Sequence, residues 1–224
     1  PLAWSPDGRS IVFTSDRDQP GRDDLYRMPA DGSGAPQRIA PSDSAQTAAD
    51  WSSQGVIAFL QGDNIWVIPP DSAARPFFTS KAAAWWPAFS PDGRWLAYAS
   101  NVSGRMEVYV RPYPAAEPAT LVSTGGGEEP LWSRDGRTLF YVNGQEMMAV
   151  DVGPGPEFHP GRVRRYLTFP WTLQEYPVRG QDVFPDGSMV IFVRASHDPV
   201  QPWGASEIHV VLNFAADLKA RVGR

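Results

Sequence analysis

Trp4-Ser5-Pro6-Asp7-Gly8-Arg9, near the start of the chain, returns as Phe89-Ser90-Pro91-Asp92-Gly93-Arg94 and as Trp132-Ser133-Arg134-Asp135-Gly136-Arg137. Val183-Phe184-Pro185-Asp186-Gly187 is a further copy, and Trp51-Ser52-Ser53-Gln54-Gly55 is a degenerate one that lacks both Pro and Asp. Counted from positions 5, 52, 90, 133 and 184, the spacings are 47, 38, 43 and 51 residues. A period near 45 residues is that of one propeller blade of four short strands. The chemistry of the signature is that of a turn. Proline presets φ for the first corner, aspartate bonds nearby backbone N–H groups, and glycine takes the positive φ that returns the chain.

What flanks each turn agrees. A large apolar residue precedes it: Trp4, Trp51, Phe89, Trp132 and Val183. A β-branched and aromatic run follows it: 11–13, 56–59, 95–98, 138–141 and 189–192. A third run begins at Asp24, Asn64, Glu107, Glu146 and Glu207, and a weaker fourth closes most units at 37–39, 76–78, 120–122 and 164–167. The pattern predicts an all-β chain: a β-propeller of four-stranded antiparallel blades, about five of them visible. The blades are expected over 1–43, 44–81, 82–124, 125–170 and 171–214, followed by a short C-terminal helix over 215–222. One such sheet cannot bury both of its faces alone, so the units must stack, and a single domain results. The aromatic before each turn is expected to wedge between sheets. A β-sandwich also has short strands and turns, but it does not explain a repeated turn with a fixed aromatic.

The 224 residues carry 20 basic and 25 acidic side chains, a net charge of −5, which argues against a nucleic-acid binder held by phosphate contacts. With 42% hydrophobic and 20% charged residues the chain can bury a core and is not disordered. The 20 glycines and 23 prolines suit repeated turns, and the nine tryptophans suit a repeated packing position. Cysteine is absent, which excludes disulfides, thiolate metal sites and a cysteine nucleophile. No apolar run approaches the ~18 residues of a membrane helix, so no membrane insertion by this segment is expected.

The Trp/Phe-Ser-Pro-Asp-Gly-Arg units resemble the WD-like propeller repeats of the bacterial TolB type, over essentially the whole chain. Residues 100–114, 123–133 and 211–221 are similar to the subgroup that sits C-terminal to bacterial serine/threonine protein kinase domains or winged-helix domains. The resemblance implies a six-bladed ring, so five units read as part of a longer propeller, open or imperfectly closed when alone. It also implies a sensing or interaction module attached to a separate effector. The chain has no kinase Gly-rich loop, His-Arg-Asp or Asp-Phe-Gly motif, so any kinase would lie upstream. Phe184 in place of Ser, and the turn at 52–55, depart from the family pattern in local detail.

Catalytic equipment is sparse. His159, His197 and His209 have no metal-ligand spacing, and no Gly-x-Ser-x-Gly elbow occurs. Asp16 to Asp24 lacks EF-hand spacing and reads as a solvated loop. Gly125-Gly126-Gly127 lacks the Lys-Ser/Thr of a phosphate loop and reads as a flexible lead into a first strand. Arg162, Arg164 and Arg165 read as an edge-strand defence against sheet-to-sheet pairing. No cofactor and no metal is expected, and no catalytic residue is assigned.

In a propeller the first strands line the central channel, and the loops into them ring one mouth. Those loops are read as 46–50, 84–87, 125–130 and 174–179. They supply Trp85, Trp86, Glu128, Glu129, Tyr176 and Arg179 as candidate binding residues. Trp85 or Trp86 reads equally well as a wedge between blades. The function expected is a non-catalytic interaction or sensor module within a larger bacterial signalling protein such as a serine/threonine kinase. It would take a protein or peptide partner, or a small ligand, at the mouth. A free-standing TolB-like periplasmic propeller is one alternative, with an extracytoplasmic setting slightly favoured. The propeller domain of a hydrolase or lyase is another.

Overall fold

The computed structural model describes residues 1–168, together with the backbone of Gln181–Val183 and Val190–Phe192. Among the described residues it contains no helix long and apolar enough to cross a membrane. Four antiparallel meanders of four strands follow one another. The first sheet comprises β1 (Leu2–Trp4), β2 (Ser10–Ser15), β3 (Asp24–Pro29) and β4 (Gln37–Ile39). The second comprises β5 (Gln46–Trp51), β6 (Ile57–Gln61), β7 (Asn64–Ile68) and β8 (Arg75–Pro76). The third comprises β9 (Ala84–Phe89), β10 (Trp95–Ser100), β11 (Glu107–Pro112) and β12 (Thr120–Leu121). The fourth comprises β13 (Glu128–Trp132), β14 (Thr138–Asn143), β15 (Glu146–Val152) and β16 (Pro160–Thr168). A pair, β17 (Gln181–Val183) and β18 (Val190–Phe192), stands where a fifth unit begins. The expected helix at 215–222 lies outside the described residues.

The first strands β1, β5, β9 and β13 adjoin in that order, and the later strands of each sheet lead outward. Period-2 alternation then feeds two cores per sheet. On β10, Leu96 and Tyr98 join the second sheet's Ala58, Ile65 and Val67, while Ala97 joins the fourth sheet's Leu139 and Tyr141. On β6, Ala58 and Leu60 face the third sheet, while Ile57 and Phe59 face Val12 and Leu25 of the first. These strands are apolar on both sides because each inner sheet is covered on both faces.

The repeated turn has one geometry. Ser5 Oγ donates to Asp7 Oδ1 at 2.6 Å, Ser90 to Asp92 at 2.6 Å and Ser133 to Asp135 at 2.7 Å. The same serine oxygens accept the backbone N–H of Ser10, Trp95 and Thr138 at 2.9–3.0 Å. Gly8, Gly93 and Gly136 close the turns at φ 68°, 71° and 69°. Arg134 occupies the proline position of the fourth unit without disturbing any of this.

In the degenerate turn Ser52 still accepts the N–H of Val56 at 3.0 Å. The residues that replaced Pro and Asp reach sideways instead. Ser53 Oγ donates to Pro91 O at 2.7 Å and Gln54 Nε2 to Asp92 O at 3.1 Å, clasping the turn of the third sheet. Gln54 packs where a Cβ on Gly93 would stand, within 2.8–2.9 Å, so that glycine is required twice over.

Several sequence expectations need correction. Trp4 is not wedged between described sheets: it is 57% exposed. Trp132 is a wedge, with its indole N–H donated to Ala88 O at 3.1 Å, and Trp51 is half-buried. Asp24 is not a solvated loop residue. It is buried at the start of β3, where the Arg38 guanidinium binds it at 2.8 Å and that of Arg22 stands 3.7 Å away. Gly125 and Gly126 are not a loose lead either, because both N–H groups are bound by Glu107.

Candidate functional site

The expected mouth residues lie on strands rather than loops. Trp85 and Trp86 belong to β9, and Glu128 and Glu129 to β13. They sit at the inner-strand ends opposite the repeated turns, on neighbouring strands. Tyr176 and Arg179 lie outside the described residues, as do His197 and His209.

Both strands carry the same irregularity at the same place. The pairing of β9 with β10 slips between Ala97 and Ala99, and that of β13 with β14 slips after Glu128, so two residues face one. The extra residues are Trp86-Pro87 and Glu129-Pro130. This is a β-bulge, the usual way an inner strand re-aims a side chain. Trp86 and Glu129 take φ 53° and 49°, a left-handed conformation that costs a non-glycine residue roughly 1–3 kcal/mol. The prolines that follow have no N–H to offer the ladder, which suits a broken register.

The bulge turns Trp86 and Glu129 inward: they are 3% and 4% exposed. Their neighbours Trp85 and Glu128 remain half-buried. Trp85 packs against the core shared by the second and third sheets. The Trp85 ring stands perpendicular to that of Trp86, with centroids 5.5 Å apart. Its indole N–H donates to Asp63 Oδ1 at 3.1 Å, across the gap to the second sheet.

A polar framework holds these strand ends in place. Buried Gln46 donates to Ala40 O at 2.8 Å and to Gln61 Oε1 at 3.0 Å, and Thr14 Oγ1 accepts the N–H of Ala48 at 2.8 Å. At the other end of the same strands, beside the repeated turns, Asp50 accepts the N–H of Phe89 at 2.6 Å and ties β5 to β9. Glu107, at the head of β11, fixes the approach to β13. It accepts from Ser123 Oγ, from Gly125 N at 2.9 Å, from Gly126 N at 3.1 Å and from Arg105 Nε at 2.6 Å. Burial pushes its carboxyl pKa up. The donors from Ser123, Gly125, Arg105 and Gly126 together outweigh that and hold the pKa below the usual range. None of this framework was singled out from the sequence, although an acid or amide heads the third strand of every unit.

A small cavity of about 350 Å3 adjoins this network, lined by Ser103, Gly104, Arg105, Glu107, Leu121 and Thr124. A larger one of about 760 Å3 opens at the other end of the sheets, between the repeated turns of the third and fourth units. Arg94 binds Asp92 at 2.6 Å and Gly155 O at 3.0 Å. The described residues bring together no group of three His, Cys, Asp or Glu side chains fit to hold a metal ion. His159, 3.3 Å from Glu157, is exposed and distant in sequence from the mouth strands.

No protein-family profile matches the chain. An uncharacterised protein of Agrobacterium fabrum is 27% identical over 157 residues, which cover 62% of this chain and 53% of that protein. The chain therefore spans about half the length of that relative. Among solved structures, a putative TolB from Agrobacterium tumefaciens superposes with a TM-score of 0.67 at 17% identity, over 87% of this chain and 74% of that one. The fold is a β-propeller. An oligogalacturonate lyase in complex with manganese is similar at a TM-score of 0.63 and 15% identity, over 85% of this chain and 60% of that one. The corresponding lyase of Vibrio parahaemolyticus gives 0.62 at 13% identity, over 85% and 61%. At these identities the propeller is shared with TolB-like proteins, and activity is not carried over.

Proposed function

We propose that this propeller is a non-catalytic interaction or sensor module, part of a larger bacterial signalling protein such as a serine/threonine kinase. It would bind a protein or peptide partner at the mouth formed by the starts of β9 and β13. The observation that supports this most is the paired bulge. Two adjacent inner strands hold buried Trp86 and Glu129 in a left-handed conformation and leave Trp85 and Glu128 half-buried at equivalent positions of the two strands. Aromatic and acidic groups fixed on strands lose little entropy when they bind. The link to a kinase rests on the sequence resemblance alone.

The test is capture from bacterial extract by the immobilised chain and by its Trp85→Ala/Glu128→Ala variant. The reading expects polypeptides held by the first and released by the second. Equal retention by both, with thermal midpoints within about 2 °C, sinks it.

A second reading, favoured by the lyase neighbours, places chemistry at the same mouth. Incubation with oligogalacturonate and manganese decides that one, since β-elimination leaves an unsaturated product that absorbs in the ultraviolet.

A further inference from the structure

The turn-side cavity lies at the opposite end of the sheets from the mouth, and its walls all belong to the third and fourth units. Its volume of about 760 Å3 falls in the ~300–1,000 Å3 range of small-molecule sites. Between the second and third units Ser53 and Gln54 clasp the neighbouring turns together. Between the third and fourth, among the described residues, no hydrogen bond joins the turn at 90–94 to that at 133–137. They approach at Pro91 and Gly136, where an added Cβ would stand 3.6 Å from the proline ring. The segment from Val152 to Glu157, between β15 and β16, forms a further wall, and Arg94 holds it through Gly155 O.

The cavity has an apolar base. Half-buried Trp95 and Val152 pack on the core shared by the third and fourth sheets. The Trp95 ring is steadied by Phe158, with ring centres 5.6 Å apart, and Phe158 meets Trp132 at 6.0 Å. The Arg94 guanidinium stands 6.0 Å from the Trp95 ring centre and fences one side.

What remains for a ligand is a set of side chains. The backbone N–H groups of Gly93, Arg94, Trp95, Gly136, Arg137 and Gly153 are all bound within the protein. A peptide, which brings a backbone donor and acceptor with almost every residue, finds few partners there. The side chains are less committed. Asp135 gives Oδ1 to the Ser133 hydroxyl and the Arg137 N–H and keeps Oδ2. Those two bonds hold its pKa below the usual range, so it is a charged acceptor at neutral pH. Glu157 turns Oε2 to His159 and keeps Oε1. Among the described residues, no hydrogen bond or salt bridge engages the Arg137 guanidinium.

Asp92, Asp135 and Glu157 stand against Arg94 and Arg137, and Arg94 is already bound to Asp92 at 2.6 Å. That balance disfavours an anion. Adjacent sugar hydroxyls both donate and accept, and so match the paired atoms of a carboxylate or a guanidinium. The C–H face of a pyranose ring suits an indole. We propose that this cavity binds a neutral saccharide, with a ring against Trp95 and hydroxyls on Arg137, Asp135 and Glu157. The proposal is independent of what binds at the mouth.

The test labels the whole chain with 5-fluorotryptophan and follows the fluorine resonances. The Trp95 signal is identified by its loss in Trp95→Phe, or in Trp95→Tyr should the first not fold. Maltose, cellobiose, lactose and N,N′-diacetylchitobiose are each titrated to about 50 mM, enough to see dissociation constants of roughly 1–10 mM. At least one is expected to shift the Trp95 signal saturably. Arg137→Ala is expected to weaken that binding about tenfold or more, with the thermal midpoint within about 2 °C of the parent. Glu157→Gln, a milder change, should weaken it about threefold. The proposal is overturned if no sugar moves the Trp95 signal, or if only another tryptophan responds, which would place the sugar elsewhere. Undiminished binding by Arg137→Ala also overturns it. So does tighter binding of trigalacturonate at Trp95 than of every neutral sugar.

Discussion

Glu107 shows how much of this molecule turns on single polar side chains. One buried carboxylate gathers Ser123, Gly125, Gly126 and Arg105 and so sets where β13 begins. Glu107→Gln keeps the shape but loses the charge-assisted bonds, at an expected cost of about 1–3 kcal/mol in urea unfolding. The folded carboxyl has a depressed pKa, so its stabilisation is complete above the ordinary carboxylate range and is lost as pH falls through the folded value. An acid titration of stability should therefore fall less steeply in the Gln variant than in the parent. At the mouth, Trp86→Ala is expected to cost about 3–5 kcal/mol as a buried aromatic, whereas half-buried Trp85→Ala costs about a third of that. Denaturant midpoints of the two variants check the ranking. The sequence marked both tryptophans and both glutamates as a group. It hid the split between inner and outer members, because a bulge is decided by pairing with β10 and β14, and its trace within β9 and β13 is no more than the proline shared at 87 and 130.

At the scale of the turn, proline and aspartate drew the eye, yet serine carries the geometry. Ser5, Ser52, Ser90 and Ser133 each accept the N–H that starts the second strand, whereas Pro is missing from two of these turns and Asp from one. Ser90→Ala should therefore cost about 1–2 kcal/mol in denaturant unfolding, more than the half-exposed Asp92→Ala beside it. The outer strand β16 is the other informative element. It runs nine residues, against two or three for β4, β8 and β12, and nearly all of it is exposed. Arg164 and Arg165 pair with Asp151 at 3.5 Å and Glu146 at 3.1 Å on β15. Replacing Arg162, Arg164 and Arg165 with threonine should leave the unfolding midpoint nearly unchanged while light scattering reports aggregation, as expected of a long edge stripped of charge. The edge role was legible from composition. The pairing was less so, because two register shifts along β15 and β16 break simple alternation.

Across the whole molecule, stability is a sum over sheets and the junctions between them. Equivalent residues should then differ by the state of their junction. Phe59→Ala opens a fully buried site and is expected to cost about 3–5 kcal/mol, while half-buried Phe13→Ala should cost roughly 1 kcal/mol. Two urea titrations check it, and equal losses would mean that Phe13 is as enclosed as Phe59 in solution. The period of the repeat made the architecture legible, since each unit announces its own turn and its own aromatic. The sequence could not show which of the repeated aromatics are enclosed among the described sheets, because Trp4, Phe89 and Trp132 look alike as residues yet are 57%, 6% and 7% exposed.

The clasp from Ser53 and Gln54 onto the turn at 90–93 bears on how such a chain can change over generations. Units that copy one another are exchangeable by recombination for as long as each keeps its contacts within itself. The second unit has given up that independence. Its turn reaches into that of the third, and a side chain in place of Gly93 would strain the turn and push Gln54 aside. These two units are expected to be inherited together.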